Sequence, residues 1–75
     1  MSRPIKRSFT IAGHRTSISL EVAFWEALKA AAGEEHIPLA ALIARIDQGR
    51  GGGGLSSAVR VWVLQHYRAN RLSQR

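Results

Sequence analysis

Arg15, Ser17 and Ser19 are the residues of this chain whose types and spacing most readily do chemistry. They alternate with Thr16, Ile18 and Leu20, and a period of two belongs to a β-strand with one apolar and one polar face. A guanidinium makes paired bonds in a fixed fork, and each hydroxyl both donates and accepts. Such a set suits reading hydrogen-bonding edges rather than breaking covalent bonds. No carboxylate pair or Ser/His/Asp arrangement accompanies it, so catalysis is not expected. Cysteine is absent and His14, His36 and His66 are scattered without ligand spacing, so no metal or other cofactor is implied.

The strand, about residues 14–20, leads directly into a helical pattern. Phe24, Trp25, Ala27, Leu28, Ala31 and Ala32 share one arc of a helix over about 21–33, which Gly33 ends or loosens. After a turn at Glu34–Ile37, Pro38 suits the first position of a second helix, about 38–48, with Leu39, Leu42, Ile43 and Ile46 in a stripe. A third helix, about 56–69, starts with Ser56 or Ser57 as N-cap. Ala58, Val59, Trp62, Val63 and Tyr67 cover one side of it, while Val61 and Leu64 fall on the other. Residues 1–8 read as a mobile basic arm and 71–75 as a basic tail, leaving a domain over 9–70. Phe9-Thr10-Ile11-Ala12 has some β character and could extend the ribbon, but Phe9 and Ile11 have odd parity and Ile18 and Leu20 even parity, so either a bulge or bend at Gly13 reconciles the two or the early piece is separate and lies over the core.

One strand cannot pair with itself, and a 75-residue chain buries only a modest core. The simplest partner is the same strand of a second copy. Ile18, Leu20, Phe24, Leu28, Val59, Trp62 and Val63 are then core or dimer-interface residues.

The segment Gln48–Gly54 holds five of the seven glycines together with Arg50. Its backbone N–H groups could approach phosphate, but it lacks the spacing and the Lys-Ser/Thr ending of a nucleotide-binding loop. It reads first as a linker.

The net charge is +6, and all five acids lie between residues 21 and 47. Nine of the eleven basic residues are Arg, concentrated toward the two ends. That distribution points to a polyanion partner. The basic N-terminus has no apolar run behind it of the kind a signal peptide needs. No stretch reaches the roughly 20 apolar residues of a membrane span. A soluble cytoplasmic protein without a membrane partner is expected, associated with the nucleoid when bound to DNA.

The run Arg15-Thr-Ser-Ile-Ser-Leu-Glu21, then Phe24 and Leu28, then Leu55-Ser-Ser-Ala-Val-Arg-Val-Trp-Val-Leu-Gln-His-Tyr67, resembles the ribbon-helix-helix family. The wider run from Lys6 to Tyr67 is similar to a small bacterial subgroup of it. The resemblance implies a mainly α fold with one short strand, built as an intertwined homodimer whose strands form an intersubunit antiparallel ribbon. It implies a transcriptional regulator that lays the ribbon in the major groove of double-stranded DNA, and it allows higher-order assembly of dimers there. Carried over, Arg15, Ser17 and Ser19 contact bases. Arg3, Lys6, Arg7, His14, Arg50, Ser56 and Ser57 contact phosphates, the last two at a helix N-terminus. The chain departs from the family pattern by inserting about twenty residues, Pro38 to Gly54, with an extra helix. Either helix, 38–48 or 56–69, can be aligned as the family's second. A rival reading of the same charge pattern is an adaptor or antitoxin-like dimer that binds an acidic protein partner.

Overall fold

The computed structural model describes residues 3–73, of which 72 and 73 by backbone alone. Met1, Ser2, Gln74 and Arg75, the ends of the expected arm and tail, lie outside the described residues.

Two strands, β1 (Ile5–Ile11) and β2 (His14–Leu20), form an antiparallel hairpin. Three helices follow: α1 (Val22–Glu34), α2 (Leu39–Gly49) and α3 (Leu55–Ser73). The strand pair that the sequence left to a second copy is thus supplied within one chain, and residues 5–8 of the expected arm lie in β1. The physical reason lies at Ala12-Gly13. Ile11 pairs with His14 across these two residues, and both have positive φ, 52° and 81°. That combination makes the two-residue hairpin turn whose twist matches the flanking strands. The parity change at Gly13 is therefore a chain reversal and not a bulge. With Ile5 opposite Leu20 and Phe9 opposite Thr16, odd positions of β1 share a face with even positions of β2.

That shared face packs on the helices. Ile11, Ile18 and Leu20 join Trp25, Leu28, Ala31 and Ala32 of α1, Leu42, Ile43 and Ile46 of α2, and Val59 and Val63 of α3 in one buried cluster. Fully burying an aliphatic side chain of this kind contributes roughly 1.5–3 kcal/mol. Trp25 also donates its indole N–H to the Ile5 carbonyl at 2.9 Å, pinning the start of β1. Phe24 and Trp62 pack against the cluster and are half-buried.

The helix ends follow local chemistry. The helix α1 passes through Gly33 and stops at His36, which takes φ 57°. His36 N–H bonds the Gly33 carbonyl and Ile37 N–H the Ala32 carbonyl, both at 3.1 Å, the paired pattern of a left-handed helix stop. Pro38 sits one residue before α2 as its cap, and its carbonyl accepts from Ala41 N–H at 3.0 Å. The helix α3 starts at Leu55, and the Gly54 carbonyl accepts from Ala58 N–H at 3.1 Å. Ser56 and Ser57 therefore stand in its first turn rather than capping it.

Ala12 is the one residue of the turn with a Cβ to strain. Left-handed backbone costs an L-residue about 1–2 kcal/mol, less for Asn. Replacing Ala12 by Asn should raise the unfolding free energy by about 1 kcal/mol, read from urea denaturation midpoints at unchanged slope.

Candidate nucleic-acid interface

The hairpin face turned away from the helices is polar along its whole length. It carries Lys6, Ser8 and Thr10 from β1, opposite Ser19, Ser17 and Arg15 of β2. All six are exposed except Ser19, which is half-buried. The residues form short cross-strand pairs. Ser8 and Ser17 hydroxyls lie 3.3 Å apart, and Arg15 Nη1 donates to Thr10 Oγ1 at 3.4 Å. The first acid in the sequence is Glu21, so the face is basic and hydroxyl-rich without a carboxylate. Ser8 and Thr10 were not singled out from the sequence. The turn-forming Ala12-Gly13 pair and the alternation Lys6, Ser8, Thr10 were the signals that could have found them.

The helix α3 fixes the end of this face. Ser19 N–H donates to Ser56 Oγ at 3.1 Å, and Arg60 Nη2 donates to the Ser19 carbonyl at 3.1 Å. Arg60 Nε also reaches Glu21 Oε1 at 3.1 Å. Both main-chain groups of Ser19 thus point to the edge away from β1. By the two-residue period, those of Ser17 and Arg15 point to the same open edge.

The remaining sequence-predicted residues are dispersed. Arg3 is exposed just before β1. Arg7 lies on the helix-side face, opposite Ile18, with its guanidinium carbon 5.3 Å from the Trp25 ring centroid. His14 is exposed beside the turn and shares Ile11's face. Arg50 is tied into its own loop by Asp47 at 2.6 Å and by the Gly53 carbonyl. Ser57 is exposed in the first turn of α3. It lines a cavity of about 410 Å³ with Arg45, Arg50 and Trp62, to which no strand residue contributes. Only Lys6 of the expected phosphate set therefore shares the face of Arg15, Ser17 and Ser19, while Ser56 braces its edge. Ile18, Leu20, Leu28, Val59 and Val63 are buried within the single chain.

A sequence model described as the ribbon-helix-helix domain matches residues 4–67. The chain belongs to that family. Its members are generally DNA-binding transcription regulators or antitoxins, typically without enzymatic activity, and usually bind DNA as dimers. No curated protein and no solved structure matches the chain. No helix among the described residues is long and apolar enough to cross a membrane.

Glu21 connects the interface to pH. A hydrogen bond from its own backbone, then the Arg60 side chain, hold its carboxyl below the ordinary 4.5. A carboxylate with a depressed folded pKa stabilises the fold above its ordinary pKa, and that contribution is lost as pH falls through the folded value. Glu21→Gln should therefore flatten the acid limb of the stability profile, with urea midpoints compared at about pH 6 and about pH 3.

Proposed function

We propose that this protein is a sequence-specific double-stranded DNA-binding regulator that presents the outer hairpin face to the major groove. The observation that carries the reading is the unbroken polar surface of Lys6, Ser8, Thr10, Arg15, Ser17 and Ser19, two strands wide and free of acid. The major groove is about 12 Å wide and admits a two-stranded ribbon. Arg15 reads a guanine edge in bidentate fashion. Ser17 and Ser19, with Ser8 and Thr10 across from them on β1, make less selective donor and acceptor contacts. Lys6 contacts phosphate from the same face, and Arg3 does so from the segment just before β1. Arg7, His14, Arg50 and Ser57 are at most flanking phosphate contacts, reached where the duplex extends past the hairpin. Ser56 serves the interface by holding Ser19. The position of α3 against the end of β2 supports aligning it, rather than α2, as the family's second helix.

The regulator acts as a homodimer in the cytoplasm. In the intertwined form the chain opens at Ala12-Gly13. Each copy's β1 then pairs with the other's β2 over one set of helices, making the ribbon intersubunit. The left-handed Ala12 supports this form, because opening the turn releases its strain.

The test is fluorescence anisotropy on a duplex recovered by selection from a random library. Affinity should fall with salt on a log–log slope of about −4 or steeper. Arg15→Ala should weaken specific binding by roughly 1–3 kcal/mol, while Lys29→Ala on α1 leaves it unchanged. No binding at low salt contradicts the proposal. In parallel, light scattering should find a dimer that Ala12→Asn shifts toward monomer.

A further inference from the structure

Arg60 of α3 joins three elements at the end of β2. Its Nη2 donates to the Ser19 carbonyl at 3.1 Å, its Nε meets Glu21 Oε1 at 3.1 Å, and its guanidinium carbon lies 5.9 Å from the ring centroid of Phe24 in α1. Ser56, one helical turn earlier on the same side of α3, accepts the Ser19 N–H at 3.1 Å. Ser19 is therefore held by both main-chain groups from one helix. Ser17, two residues back on the same outer face, directs its main-chain groups to the open edge, and its hydroxyl lies 3.3 Å from that of Ser8. All the residues that hold Ser19 follow the Ala12-Gly13 turn in the sequence. Their contacts with Ser19 thus lie within one chain, whether the hairpin is closed or exchanged between copies.

We propose that Arg60 is a positioning residue for base recognition: it touches no DNA, and through the Ser19 main chain it makes the Ser19 hydroxyl selective. The inference rests on the reading of the outer hairpin face as the DNA-binding surface. A hydroxyl donates and accepts in whatever direction its rotor allows, so by itself it discriminates base edges weakly. It discriminates when its Cα and Cβ cannot shift to suit a wrong edge. Shifting Ser19 costs the bonds to Ser56 and Arg60, and the bond from the charged Arg60 donor is the stronger kind. Glu21 meets the Arg60 charge, and the guanidinium fork is spent on a carbonyl and a carboxylate instead of a phosphate. Ser17 is the internal comparison: the same side chain on the same face, without the hold from α3 on its main chain.

The experiment uses the full chain and measures, by fluorescence anisotropy, affinity for the selected duplex with each base pair changed in turn. Comparing wild type with Ser19→Ala identifies the pair that Ser19 reads, where the penalty for change falls from at least about fivefold to near none. Arg60→Met should lower the penalty at that pair to about twofold or less. It should leave unchanged the penalty at the pair that Arg15→Ala affects, and the salt slope. Ser56→Ala, which removes no charge, should act in the same direction. Adding Arg60→Met to Ser19→Ala should cost no further discrimination. In the DNA-free protein, amide exchange at Ser19 should quicken at least about tenfold in Arg60→Met and Ser56→Ala and stay unchanged in Arg15→Ala. A salt slope shallower by about 1, with weaker binding to every sequence, makes Arg60 a phosphate contact and overturns the inference. So does an equal loss of discrimination at all base pairs, the mark of a less stable fold alone. Faster Ser19 exchange with unchanged discrimination keeps the brace and overturns its part in recognition. A wild type that binds no duplex, or has no pair sensitive to Ser19→Ala, contradicts the outer-face reading itself and the inference with it, while the exchange result still reports the brace.

Discussion

The two-residue reversal at Ala12-Gly13 sets the register on which every other feature depends. Pairing Ile11 with His14 forces Phe9 opposite Thr16, Arg7 opposite Ile18 and Ile5 opposite Leu20. In that register Ile11, Ile18 and Leu20 reach the core together, while Lys6, Ser8, Thr10, Arg15, Ser17 and Ser19 leave it together. A slip of one residue on β2 would exchange its faces, exposing Ile18 and Leu20 and burying Arg15. The core therefore enforces the polar surface: the apolar contacts that stabilise the hairpin are also what aim its hydroxyls and guanidinium outward.

The same logic explains how the helices brace the interface without sharing it. Trp25 holds the first strand by its main chain, and its ring lies beneath Arg7 and beside Phe9. Ser56 and Arg60 hold the second strand by both main-chain groups of Ser19. An Arg that bonds a carbonyl and a carboxylate at once is more constrained than one in a lone surface ion pair, which contributes little. Glu35 and Arg45, paired at 2.8 Å, tie α2 to the stop of α1. Both supports act at the open end of the ribbon, on the adjacent pairs Ile5–Leu20 and Lys6–Ser19, while Ala12-Gly13 closes the other end.

The three helices were legible because amphipathic periodicity over ten or more residues is a strong signal, and β2 because Thr16, Ile18 and Leu20 alternate with Arg15, Ser17 and Ser19. The stripe Leu39, Leu42, Ile43, Ile46 belongs to a helix whose buried residues are Leu42, Ile43 and Ile46. The outward set Arg15, Ser17, Ser19 was legible for the same reason, with a period of two. β1 was not recognised as the partner because Ala-Gly is a weaker turn signal than Asn-Gly, and because Lys6 and Arg7 together look like a solvated arm. Missing that strand hid Ser8 and Thr10 and transferred the pairing to a second copy. Gly33 misled in the opposite sense: the left-handed stop of α1 fell on His36, a residue type that tolerates positive φ more often than most. The dispersal of Arg7, Arg50 and Ser57 could not be read from charge runs, since charge runs carry no information on facing.

The central claim is that the outer hairpin face is the surface that meets DNA. Backbone amide chemical-shift mapping by NMR, with and without the selected duplex, tests it most directly. The account predicts that the largest changes fall on Lys6, Ser8, Thr10, Arg15, Ser17 and Ser19, with Val61 to Tyr67 of α3 unmoved. Changes concentrated on α3 or on the glycine loop, with a quiet hairpin, would contradict it.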